Sequence, residues 1–153
     1  MKMTKLDDFV EDVLPRQIQA DRAMHAGDAE PRIQLYSHRD PVTIFGALET
    51  AIGWEAVSEL FRSLAARFSG GYESWDFELV QAAVSGDVAY TVGFERSVVS
   101  IDHGPMQPSM LRVSHGYRRE DGVWKISHRH GDRGPNAVDL FRRSESDSDV
   151  GGR

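Results

Sequence analysis

Two histidines two residues apart, His128 and His130, followed two further on by Asp132, stand in the segment WKISHRHGD (124–132). In a strand, residues two apart share a face, so these three polar groups would project together. Trp124 and Ile126 have the same parity, which predicts that this is the core-facing side and that Lys125, Ser127 and Arg129 take the other. Three chemistries suit such a set. Two imidazoles could hold a divalent ion with a third ligand from Asp132, His115 or His38. One imidazole could move a proton near neutral pH while Asp132, Asp40 or Glu95 orients it. Or both could be hydrogen-bonded members of a polar cavity wall with no chemistry of their own.

Which groups oppose them depends on the turn before. A two-residue loop at Asp121–Gly122 sets His128 opposite His115 and Ile126 opposite Tyr117. A three-residue loop, Glu120 to Gly122, sets His128 opposite Ser114 and His130 opposite Arg112. A slip of one residue reverses the face of the whole partner strand. The apolar parity of Leu111, Val113 and Tyr117 favours the first register. Arg112, His115 and Tyr117 are therefore candidate ligand-binding groups, Arg112 and Tyr117 for a substrate oxygen where the register points them inward.

A second group lies in YSHRDPVTIFG (36–46), where His38, Arg39, Asp40 and Thr43 stand at a helix-to-strand junction. Functional groups concentrate at such junctions, although an Asp-Pro pair is also an ordinary turn former. Trp54, Phe61, Trp75, Phe77 and Tyr90 are candidates for an aromatic wall, with Trp54 and Phe61 taken as ligand contacts. No glycine-rich phosphate loop, GxSxG elbow or HExxH pair is present in the sequence.

The elements that must position these groups follow from periodicity. Leu6, Phe9, Val10, Val13 and Leu14 recur at helical steps from Thr4 to about His25, with Thr4 and Asp7 as a capping box. Pro15 falls inside this run and predicts a kink or a second start. A short helix is expected over about 28–36, and a short strand or extended loop over 41–47. Trp54, Val57, Leu60, Phe61, Leu64 and Phe68 make the stripe of a helix expected from Thr50 to Phe68. Beyond "SGG" (69–71) the period changes to two. Strands are expected over 73–84, 88–100, 109–119 and 123–131, joined by hairpin signals at Gly86–Asp87 and "EDG". Helices followed by a meander of strands predict an α+β architecture.

At 153 residues the chain suits one domain, expected over 4–141, with the polar segment 142–153 read as a disordered tail. The absence of cysteine excludes disulfides, thiol nucleophiles and thiolate metal sites. A net charge of −6 argues against a nucleic-acid partner, which requires a basic face. No apolar run approaches the roughly 20 residues of a bilayer span, and the acidic amphipathic start differs from a secretory signal. A cytoplasmic protein with no membrane partner is expected.

The order of elements, the junction LYSHRDPVTIFGA, the helix GWEAVSELFRSLAARFSGG and the ending LRVSHGYRREDGVWKISHRHGD resemble the SnoaL-like group of the nuclear transport factor 2-like, or ketosteroid isomerase-like, superfamily. The ending is also similar to the association domain of calcium/calmodulin-dependent kinase. The resemblance spans about residues 5–132. It implies a conical α+β fold, three N-terminal helices packed on a strongly curved antiparallel sheet that encloses a pocket, and a homodimer through the outer sheet face. It does not imply one activity, because members include isomerases, cyclases and dehydratases as well as non-catalytic binding and assembly domains. Ketosteroid isomerases pair an aspartate base with a neutral acid. That aspartate would fall at Ile44 here, and Asp40 comes four residues earlier. The expected function is binding of a small organic molecule without metal or organic cofactor. Isomerase, cyclase or dehydratase chemistry would use His128 or His130 for the proton, with Asp40, His38 or Asp132 orienting it. The alternative is a non-catalytic ligand-binding or dimeric assembly module.

Overall fold

A computed structural model describes residues 3–134. The tail expected over 142–153 and the last residues of the expected domain lie outside the described residues. Helix α1 runs Lys5–His25, α2 Glu30–Leu35 and α3 Trp54–Arg67. Strands follow as β1 Thr43–Phe45, β2 Thr50–Ile52, β3 Tyr72–Ser85, β4 Val88–Val99, β5 Gln107–Glu120 and β6 Val123–Asp132. All six form one sheet in the order β2-β1-β6-β5-β4-β3. Every pairing is antiparallel except β1 with β6, which is parallel. The sheet is curved and unclosed, with the helices on its inner face, as the α+β reading requires.

Thr4 caps α1 through the predicted box: its hydroxyl accepts from the Asp7 N–H, and the Asp7 carboxylate accepts from the Thr4 N–H. Pro15 neither restarts nor ends the helix. It lies on the exposed side, where the carbonyl left without its N–H donor is open to solvent. Phe9 stands edge-on to Tyr117 and Trp124, with ring centroids 5.2 and 5.0 Å apart, and so locks α1 over β5 and β6.

The helix expected from Thr50 begins instead at Trp54. Residues 50–52 form β2, a hairpin partner for β1 that the helical stripe concealed. Gly53, at φ 90, makes the break between β2 and α3. The turn between β5 and β6 has the predicted two residues, Asp121 and Gly122, both at positive φ, which suits a tight hairpin.

Register is where the sequence expectation needs correction. Ile126 pairs with Tyr117 as expected, but the next pair is His128 with Gly116, not His115. Ser127 is the extra residue of a β-bulge. The bulge resets the alternation, so Arg129 and not His128 or His130 continues the inner face begun by Trp124 and Ile126.

Candidate functional site

The inner face of the sheet holds a buried polar network. Thr91 and Glu95 of β4, His115 and Tyr117 of β5, and Arg129 of β6 are all almost wholly buried. Above them α1 contributes Gln17, Asp21 and His25, and the α2 region contributes Arg32 and Tyr36, equally buried. Arg129 donates from Nη1 and Nη2 to the two Glu95 carboxylate oxygens at 2.7 and 3.1 Å, and from Nη1 to His115 Nε2 at 3.1 Å. Arg32 donates from Nε and Nη2 to one oxygen of Asp21, at 3.1 and 2.7 Å. The Tyr117 hydroxyl donates to Gln17 at 2.7 Å.

Buried charges persist only when paired, and here two cations balance two anions. The two carboxylates differ. Burial alone would raise Glu95, but Arg129, with Arg32, holds it down to about 2. Burial wins at Asp21, whose carboxyl is pushed up against the pull of Arg32. The geometry supplies the reason: both Arg32 bonds fall on Oδ1, and Asp21 Oδ2 is buried with no donor.

Both inner histidines are held neutral. Burial lowers His25, with Arg32 adding to the effect against Glu95. Burial and then Arg129 lower His115 well below the usual imidazole range. Their tautomers follow from their partners. His25 Nδ1 lies 2.6 Å from the Asp21 carbonyl, an acceptor only, so Nδ1 carries the proton and Nε2 the lone pair. His115 Nε2 accepts from a guanidinium, so its proton is on Nδ1, which is buried without a partner. The Tyr36 hydroxyl and Thr91 Oγ1 are also buried and unpaired.

Three members of this network, His25, Arg32 and Arg129, line a cavity of about 100 Å³ together with Phe61, Leu64, Phe68 and the β1–β2 loop, Gly46 to Glu49. For scale, an apolar cavity of about 150 Å³ holds benzene, so about four heavy atoms fit here.

Of the residues singled out in the sequence, Phe61 lines this cavity, and Glu95, His115 and Tyr117 belong to the network behind it. The others lie elsewhere. His128 is on the outer face, where its Nδ1 meets the Thr43 hydroxyl at 2.7 Å. Burial and then His130 lower it. His130 is exposed, 3.7 Å from Asp132, and Phe45 stands edge-on to both rings. Asp132 is paired with Arg112 at 2.8 Å on the same exposed face. Asp40 accepts from the Trp54 N–H at 2.7 Å and thereby caps α3. His38 stacks on Trp54 at 4.0 Å and bonds the Ile33 carbonyl. Among the described residues, no group of three or more histidine or acidic side chains is arranged to hold a metal ion.

His25, Asp21 and Arg32 were not singled out in the sequence. A signal was available on α1: Phe9, Val13, Gln17, Asp21 and His25 follow at four-residue steps. Polar residues therefore continue an apolar stripe inward.

A curved sheet wrapped by three helices around a polar-floored cavity defines the nuclear transport factor 2-like class of folds. Within that class the chain belongs to the SnoaL-like domain family, whose model matches residues 18–131. Similar solved structures show the same fold. One is a nuclear transport factor 2-like protein of unknown function from Pseudomonas putida, 24% identical over 82% of this chain and 84% of that one, with TM-score 0.61. A candidate dehydratase of the same family from Streptomyces avermitilis is 22% identical over 82% and 96%, with TM-score 0.66. A candidate calcium/calmodulin-dependent kinase type II association domain from Thiobacillus denitrificans is 19% identical over 86% and 98%, with TM-score 0.61. A comparison with curated proteins found no match. No helix of the described residues is long and apolar enough to cross a membrane.

Proposed function

We propose that the protein binds a small, mainly apolar organic molecule between the helices and the inner sheet face. Cofactor-independent proton transfer of the isomerase, cyclase or dehydratase kind is the chemistry this site suits. One observation carries the reading: three buried polar side chains, His25 of α1, Arg32 of α2 and Arg129 of β6, line an otherwise largely apolar cavity in front of the buried network. A dehydratase assignment for a protein of this fold is consistent with it. Binding without turnover is the second reading. It is favoured by the pairing of both guanidiniums, which gives the floor no net charge. A homodimer through the outer sheet face accompanies either reading, and exposed Val80, Val88 and Tyr90 supply apolar area for it.

The test is a ligand-observed NMR screen of small organic molecules against the wild type, Leu64→Phe and His130→Ala. Leu64→Phe fills the cavity and is expected to abolish binding, while His130→Ala leaves it intact. The opposite pattern would move the site to the outer face.

A further inference from the structure

The His25 imidazole carries an unused base. It ends α1 against α3 and β3, with Phe68 at 4.5 Å and Trp75 at 5.8 Å between ring centroids. Its Nδ1–H is committed to the Asp21 carbonyl, which fixes both tautomer and ring orientation. Nε2 has no hydrogen bond among the described residues, and the ring forms part of the cavity wall. Arg32, also in that wall, spends Nε and Nη2 on Asp21, and its Nη1 makes no bond to the described residues. Arg129 is the second guanidinium there. A lone pair and guanidinium donors thus border one small, otherwise largely apolar space.

We propose that His25 is the proton-transfer base of this cavity, acting on a small neutral carbonyl compound with an enolisable C–H, while Arg32 and Arg129 receive the carbonyl oxygen. The inference rests on the cavity reading above and deepens it. In the step, the C–H bond adjacent to the carbonyl breaks and its proton forms N–H on Nε2. The C–H electron pair becomes the C=C bond, and the carbonyl π pair moves onto oxygen as an enolate beside the guanidiniums. Return of a proton to carbon completes exchange or isomerisation without a co-reactant. Charge selects the neutral class. Arg32 and Arg129 are already balanced by Asp21 and Glu95, so a permanent anion would enter against two carboxylates. A neutral carbonyl incurs no such penalty, and the charge that develops on it is transient and faces donors already in place.

The groups facing His25 are Asp21 from α1, Arg32 from α2, Glu95 from β4, and the uncharged rings of Phe68 and Trp75. Burial and Arg32 keep the imidazole neutral at pH 7 against the opposing pull of the carboxylates, the state a base requires.

The experiment follows deuterium entry from D₂O into the α-carbons of acetone, a probe of about the size the cavity admits, with cavity binding read by chemical-shift changes on the protein. Wild-type protein is expected to bind acetone and accelerate exchange. His25→Gln should retain binding and lose exchange by about a hundredfold or more, the scale of a general base. His103→Gln, on an exposed turn, should retain both. Binding without accelerated exchange would overturn the base and leave the cavity reading standing. A screen that fills the cavity with other molecules but never with a ketone would overturn the substrate class. Loss of all cavity binding would overturn both. The wild type gives an independent check that requires no variant to fold: ¹⁵N shifts of His25 should report Nδ1–H with Nε2 bare at pH 7, and a proton found on Nε2 would end the proposal.

Discussion

Strand β6 carries two polar sets on opposite faces within five residues. On the inner face Arg129 is buried and paired with Glu95 and His115. On the outer face His128, His130 and Asp132 stand at an exposed surface with Thr43, Phe45 and Arg112. Both sets contain an arginine–carboxylate pair of similar length, 2.7 Å inside and 2.8 Å outside. Geometry alone therefore does not separate them; solvent does. The inner pair has lost its water and depends on its partners, whereas the outer pair is screened and replaceable.

The widest gap between the faces should come from removing one charge of each pair. Glu95→Ala or Arg129→Ala is expected to cost about 3–5 kcal/mol in urea denaturation, because the remaining charge is left buried. Asp132→Ala should leave the midpoint nearly unchanged. Equal losses on both faces would erase the distinction.

Acidification should separate the faces next. An imidazole whose folded pKa lies below its unfolded value contributes stability that is complete above about pH 6.5 and is lost as pH falls. His25 and His115 both have this sign on the inner face, and the less buried His128 shares it on the outer one. Each should add a slope of about 1.4 kcal/mol per pH unit below that point. Asp21, raised by burial, opposes the trend, so the measurement is the difference between wild type and His25→Gln or His115→Gln. Each variant is expected to flatten the curve between pH 6 and 5.

Deleting Ser127 sharpens the comparison at its origin. Without the extra residue, β6 becomes a regular strand in which Ile126 and Arg129 still share the inner face. A loss of about 1–2 kcal/mol is expected from the altered twist, with the Arg129–Glu95 pair retained in a crystal structure. Inward rotation of His128 in that structure would refute the role given to the bulge.

The smallest effect belongs to the outer histidines. His128→Ala gives up one hydrogen bond to Thr43, about 1 kcal/mol, and His130→Ala should change the melting temperature less. A large loss at either would mean that this face is covered in the working assembly.

Much of the fold was legible from residue order. The capping box at Thr4, the α3 stripe and the two hairpins rest on local rules, and local rules read correctly here because each concerns residues within a few positions. The exception at 50–52 has the same cause: a three-residue strand exists only because β1 lies beside it. The candidate site was legible in part. The resemblance implies a pocket between helices and sheet, and Phe61, Glu95, His115 and Tyr117 lie at or behind the cavity found there. The signal for His25 and Asp21 is the polar continuation of the α1 stripe, at four-residue steps from Phe9 and Val13.

The sequence by itself determined the family, the element types and most of the hairpin pairing, because periodicity, caps and turn residues act at short range. Only the tertiary structure decided which side of β6 faces inward beyond Ile126. Alternation is a relative rule, and one unpaired residue, Ser127, inverts everything after it. The convergence of Asp21, Arg32, Glu95 and Arg129 was likewise decided in three dimensions. Four charges from four elements become partners only when burial removes the water that would otherwise satisfy each of them separately.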